Sequence, residues 1–212
     1  MTMKTAYRHS IGALSRKAAV LRAFFKDRRG TGGVEFAIIV PLLIAAYLGS
    51  FELTLGYSVA RKVARAASTV TDILTREDQW SKNSLNAMPN VVKGVMAPFQ
   101  PKNGSTLKVT GIKVMAPGVG VVVWSRGWSG NWAGTSEPTG SVAYIPGTPV
   151  TFSDDIAAAN DFIVRTEIDV PHDILLFAAD MTDKTLKPIH IAKTYYFRQR
   201  IGNMSTCSDC AF

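Results

Sequence analysis

Sixteen consecutive residues without a charge, Phe36 to Phe51, decide most of what this 212-residue chain can become. Past Glu52 the chain stays moderately apolar to Ala60, and then Arg61, Lys62 and Arg65 follow. A helix over Gly32 to Tyr57 is long enough, with some tilt, to cross a hydrocarbon layer of about 30 Å. Two carboxylates, Glu35 and Glu52, bracket the run. An ionised carboxylate in hydrocarbon costs about 3 kcal/mol on insertion scales, so each needs a physical reason to be there. Pro41 removes one backbone hydrogen bond inside the run and is expected to kink or loosen the helix.

Charge is distributed unevenly around this segment. The whole chain carries +8, which in isolation would suggest a nucleic-acid partner. Residues 1–30, however, hold eight basic residues against Asp27 alone, and the remaining 182 hold 16 basic and 15 acidic. The basicity belongs to a leader, and nucleic-acid binding needs a basic patch on the folded body. Within the leader Ile11, Leu14, Ala18, Leu21 and Phe25 fall at helical spacing. Two readings follow, a basic amphipathic helix on an anionic cytoplasmic leaflet or a solvated tail. The positive-inside rule places residues 1–30 in the cytoplasm and the rest of the chain outside. An ordinary secretory signal fits poorly: its processing site follows the apolar core, whereas the small residues here, Gly30-Thr31-Gly32-Gly33, precede it.

Helical periodicity continues beyond the apolar run. Val59, Val63, Ala66, Val70 and Ile73 share one face, with Arg61, Arg65, Thr69 and Asp72 between them. One helix from near Thr31 to near Arg76 would be about 70 Å long. The expected organisation is therefore a basic cytoplasmic leader (1–30), a long helix (31–78, transmembrane over about 32–57) and a periplasmic α+β domain (79–212).

The body reads as a short helix around Pro89 followed by strands. Leu107 and Val109 alternate and, after an expected bulge at Gly111, Ile112 and Val114 continue that face. Pro117-Gly118 marks a hairpin turn into Val119–Trp128. Phe162, Val164, Thr166, Ile168 and Val170 oppose Arg165, Glu167 and Asp169, and Ile189–Arg200 forms a last strand. The expected fold class is α+β: a long N-terminal helix packed on a four-stranded antiparallel sheet with one covered face. A Gly/Ser/Pro-rich stretch between the second and third strands carries Trp128 and Trp132. They are either a partner-contact surface or aromatics folded back over the sheet edge.

No catalytic constellation stands out. His9, His172 and His190 are scattered, no phosphate loop or metalloprotease motif occurs, and Asp154-Asp155 reads as a helix N-cap. The chain is therefore expected to be no enzyme and to need no cofactor or metal; a membrane-anchored hydrolase is the distant alternative. The two cysteines, Cys207 and Cys210, cannot alone complete a tetrahedral zinc site. Outside the cytoplasm they are expected to form a disulfide closing a tiny loop.

The string Arg28-Arg29-Gly30-Thr31-Gly32-Gly33-Val34-Glu35-Phe36-Ala37 resembles the processing site of type IV prepilins. The longer segment to Tyr57, with Pro41 and Glu52, resembles the TadE-like proteins of the tight-adherence (Flp) pilus system. The resemblance is strongest over residues 28–75. It implies a pilin-like fold, cleavage after Gly30 by a prepilin peptidase, Thr31 as the first mature residue and Glu35 as the fifth. It further implies that Glu35 pairs with the N-terminal amine of a neighbouring subunit, which removes most of the penalty of a buried charge. Snorkelling of Glu35 to headgroup water is the alternative. The implied partners are the inner membrane, the peptidase, other pilin-like subunits and the assembly platform. The role is that of a minor pilin or pseudopilin, or of an uncleaved anchored assembly factor.

Overall fold

The computed structural model describes residues 31–130, 132, 139–174 and 188–210. The leader, its expected amphipathic helix and Gly30 lie outside them. Two compact units divide the chain, Met1–Ser50 and Phe51–Phe212. The described part of the first is the opening portion of helix α1, Thr31–Leu74, which is assigned without interruption through Pro41. Its apolar side chains face outward, and none of the most apolar window is buried within the chain. The helix is long and apolar enough to cross a membrane by length and composition.

In the second unit α1 behaves as a core element. Val59, Val63, Ala66, Ala67, Val70 and Leu74 are buried, and Ile73 packs against the same cluster. The expected stripe is thus the one the fold uses, with Ala67 and Leu74 added. Each buried Val or Leu contributes about 1.5–3 kcal/mol of transfer free energy. The helix ends at Leu74, a turn short of Asp78, and Thr75 N and Arg76 N still bond back to Thr71 O and Ile73 O.

The stripe packs on a sheet of six strands, two more than expected. They are β2 (Thr106–Ala116), β3 (Val119–Ser129), β4 (Thr139–Ser141), β5 (Pro149–Thr151), β6 (Phe162–His172) and β7 (Ile189–Arg198). The order is β4-β3-β2-β6-β7, with β5 also paired to β3, and every pairing is antiparallel. The added strands β4 and β5 come from and just after the Gly/Ser/Pro-rich stretch. Three residues each are too few to show a period of two. A separate parallel pair joins β1 (Gln79–Trp80) to β8 (Thr206–Cys207). Between β1 and β2 lie α2 (Lys82–Leu85), with Ser81 and Ser84 in a reciprocal capping box, and α3 (Met88–Met96), with Pro89 in its first turn.

Two further expectations are corrected. The bulge sits in β3, where Gly111 pairs with Trp124 but Ile112 with Val122. The β2–β6 register runs unbroken through the same residues. Ile112 and Val114 therefore stay on the face opposite Leu107 and Val109, and with Ile163 and Ala157 they form a second buried cluster. Both faces of the sheet are covered in part. Asp154 and Asp155 cap no helix: they lie in the turn region after β5, and a Cβ on Gly118 (φ +74°) would meet the Asp154 carboxylate.

Candidate functional site

The segment singled out in the sequence runs along α1. Gly30 is outside the described residues, and Thr31 opens the described part of the helix. Glu35 is helical and exposed. Pro41 is within the helix, and Glu52 is half-buried in the second unit.

The far end of α1 is fixed by the chain's last residues. Trp80 Nε1 donates to Leu74 O at 3.2 Å, and Arg200 N donates to Thr75 O at 3.0 Å. The Asp72 carboxylate sits close to the helix C-terminus, where the dipole disfavours it. Arg200 Nη1 at 2.9 Å and the Arg76 guanidinium offset that. Gln199 Nε2 donates to Glu77 O, and Trp124 Nε1 to Ser205 O at 3.0 Å. Cys207 and Cys210 are joined by a disulfide with Cα atoms 5.4 Å apart, and Cys210 is buried in the main cluster. Asp209 between them accepts from Lys82 N at 2.9 Å, which satisfies the start of α2. The same three residues stand close enough for a metal, but both sulfurs are committed to each other and leave one carboxylate.

Trp128 and Trp132 are each only 2% exposed. The partner-contact reading of these two residues is therefore corrected: they are core aromatics, and Trp128 Nε1 reaches Asn86 Oδ1 at 3.3 Å. On the opposite face Arg165 is buried beneath the Tyr144 ring, with its guanidinium 4.6 Å from the ring centroid and 3.3 Å from Glu167. Tyr144 Oη donates to Glu167 at 2.9 Å. Desolvation first, and then this bond to a carboxylate, push the phenol above its ordinary value of 10.0. His190 pairs with Asp169 at 3.0 Å across β6 and β7, on an exposed surface. This is a cross-strand pair of modest worth.

With that geometry in place, comparison with known families locates one relation. Residues 30–72 match the family model described as TadE-like protein. Over this segment the chain is similar to TadE-like proteins. The match covers α1 almost end to end and stops before β1, so the sheet lies outside it. TadE-like proteins belong to pilus assembly, and a single apolar helix fits membrane anchoring of such a component. No curated protein and no solved structure matches the chain.

Within the matched segment, sequence reasoning found Glu35, Pro41 and Glu52 and read Arg61, Lys62 and Arg65 only as the basic flank that follows the apolar run. Ser58, Arg61, Lys62 and Arg65 line an open hollow of about 190 Å³. The spacing i, i+3, i+4, i+7 was the available signal. The roles of Asp209 and Ser205 had none, because their partners lie more than 80 residues away in the chain.

Proposed function

We propose that the chain is a minor pilin or pseudopilin of a tight-adherence (Flp) pilus, a structural part and not a catalyst. It is inserted with the leader in the cytoplasm and the sheet domain in the periplasm. A prepilin peptidase cuts after Gly30, and the mature chain begins at Thr31. Glu35 then becomes the fifth residue and pairs with the amine of a neighbouring subunit, so that docked subunits are favoured over undocked ones. Such a pairing acts as a registry device, since an unmatched charge in lipid is the costly alternative.

The observation that carries this reading is the TadE-like match beginning at residue 30. It is supported by a helix whose apolar window finds no cover within the chain. The deciding experiment is mass spectrometry of the N-terminus of the protein isolated from its native cells. A mature end at Thr31 is expected. An intact leader would instead mean a permanently anchored assembly factor, and a start at Arg61 an ordinary signal peptide.

A further inference from the structure

Arg61, Lys62 and Arg65 crowd one face of α1, and among the described residues no carboxylate forms an ion pair with them. Arg61 and Arg65 are exposed, and among the described residues neither guanidinium has an acidic partner. Like charges at i, i+4 on a helix repel each other, so the arrangement is unfavourable until an anion joins it. The acids nearest in sequence on the helix do not supply one. Asp72 is engaged by Arg76 and Arg200, and Glu52 lies nine residues before Arg61, about 14 Å along the axis. Lys62 is held by donating to Ala97 O at 2.9 Å, which anchors its side chain beside the two arginines.

The position of the cluster narrows the choice of anion. Leu53 and Tyr57, 77% and 65% exposed, are the last large apolar side chains on the outside of the helix. Arg61 stands one turn later, its guanidinium 5.8 Å from the Tyr57 ring centroid. Apolar residue, aromatic ring and cation in that order match the change from hydrocarbon through interface to phosphate. We infer that Ser58, Arg61, Lys62 and Arg65 form a site for the phosphate of an anionic phospholipid headgroup, which fixes the depth of the helix in the bilayer. Arginine suits this role because its planar fork bonds two phosphate oxygens at once, while the Ser58 hydroxyl, which donates to Thr54 O at 2.8 Å, only lines the hollow. The site rests on the reading that α1 crosses the membrane.

The test uses the full chain in nanodiscs of phosphatidylcholine alone or with one part in three phosphatidylglycerol. Flotation first checks insertion, and native mass spectrometry after gentle release then counts the retained lipids. Wild type is expected to insert and to retain phosphatidylglycerol in preference to phosphatidylcholine. That preference should fall about fivefold for each arginine removed in Arg61→Gln and Arg65→Gln. Flotation and near-ultraviolet circular dichroism should stay unchanged in both variants. Insertion with equal retention of the two lipids in wild type would overturn the site and favour an acidic protein partner. So would a preference that survives both substitutions. Failure of wild type to float would instead remove the transmembrane reading itself.

Discussion

The indole of Trp124 lies over Gly111, on the neighbouring strand, in the space where any other residue would carry its Cβ. A Cβ at position 111 would fall 2.5 Å from Trp124 Cε2 and 2.7 Å from Phe162 Cζ. From this place Trp124 Nε1 reaches Ser205 O at 3.0 Å, so one missing methyl group on β2 lets the sheet hold the C-terminal tail. Gly111→Ala is expected to destabilise the folded unit by about 1–3 kcal/mol through overpacking. Denaturant titration followed by tryptophan fluorescence measures it. Trp124→Phe, which keeps an aromatic ring but loses the donor, should cost about 1 kcal/mol or more.

The two portions of α1 answer differently to the same substitution. Leu74 is fully buried in the main cluster, whereas Leu53 is 77% exposed. Leu74→Ala should destabilise the folded unit by about 2–5 kcal/mol. Leu53→Ala should leave its unfolding midpoint unchanged in detergent and alter only membrane partitioning. Parallel thermal melts and flotation assays on the two variants separate these effects.

Tyr144 should report on pH from the alkaline side. Its phenol is raised above 10.0, chiefly by desolvation and then by its bond to Glu167. The sign follows from that direction. Stabilisation from the protonated phenol is present in full below the ordinary value and is lost as pH rises through the raised one. Phenolate absorbance of the folded chain should therefore show one tyrosine titrating late, and Glu167→Gln should bring it back toward 10.0. No effect of that substitution on the late titration would assign the shift to burial alone.

Glu35 tests assembly in the cell. Glu35→Gln keeps the shape of the side chain and removes the charge, so membrane insertion and processing at Gly30 should be retained while incorporation into pili falls. Immunoblots of membrane and sheared-pilus fractions give both readouts from one culture. Wild-type piliation with normal processing would overturn the pairing role.

The elements that were legible in the sequence share a physical trait: their pattern is periodic and one-sided. The α1 stripe faces one hydrophobic cluster and burial there follows the pattern, and Phe162, Val164, Ile168 and Val170 join that same cluster. Where a second surface covers the element, the pattern loses its meaning. Arg165 reads as a solvent-face residue, yet it is 8% exposed because Tyr144 crosses above it. Trp128 and Trp132 sit in a stretch whose composition signals a loop, and only their packing shows them to be core. The bulge was assigned to the wrong strand because Gly111 advertises an irregularity without saying which partner absorbs it. Of the candidate site, Glu35, Pro41 and Glu52 were readable because the helix alone defines them. The cluster at Arg61 needed the outward-facing side chains before it could be seen as unbalanced.

The pairing of Gln79 with Thr206 and of Trp80 with Cys207 has a consequence for the order of events during synthesis. Residues made much later than the helix complete its terminus. Contacts this distant in sequence form slowly, because the loop between them must close first. The far end of the helix stays unfinished until β8 has been made. A chain shortened by ten residues from Phe212 would lack β8, Asp209 and both cysteines, and with them the contacts that close off β1 and the start of α2 behind the helix.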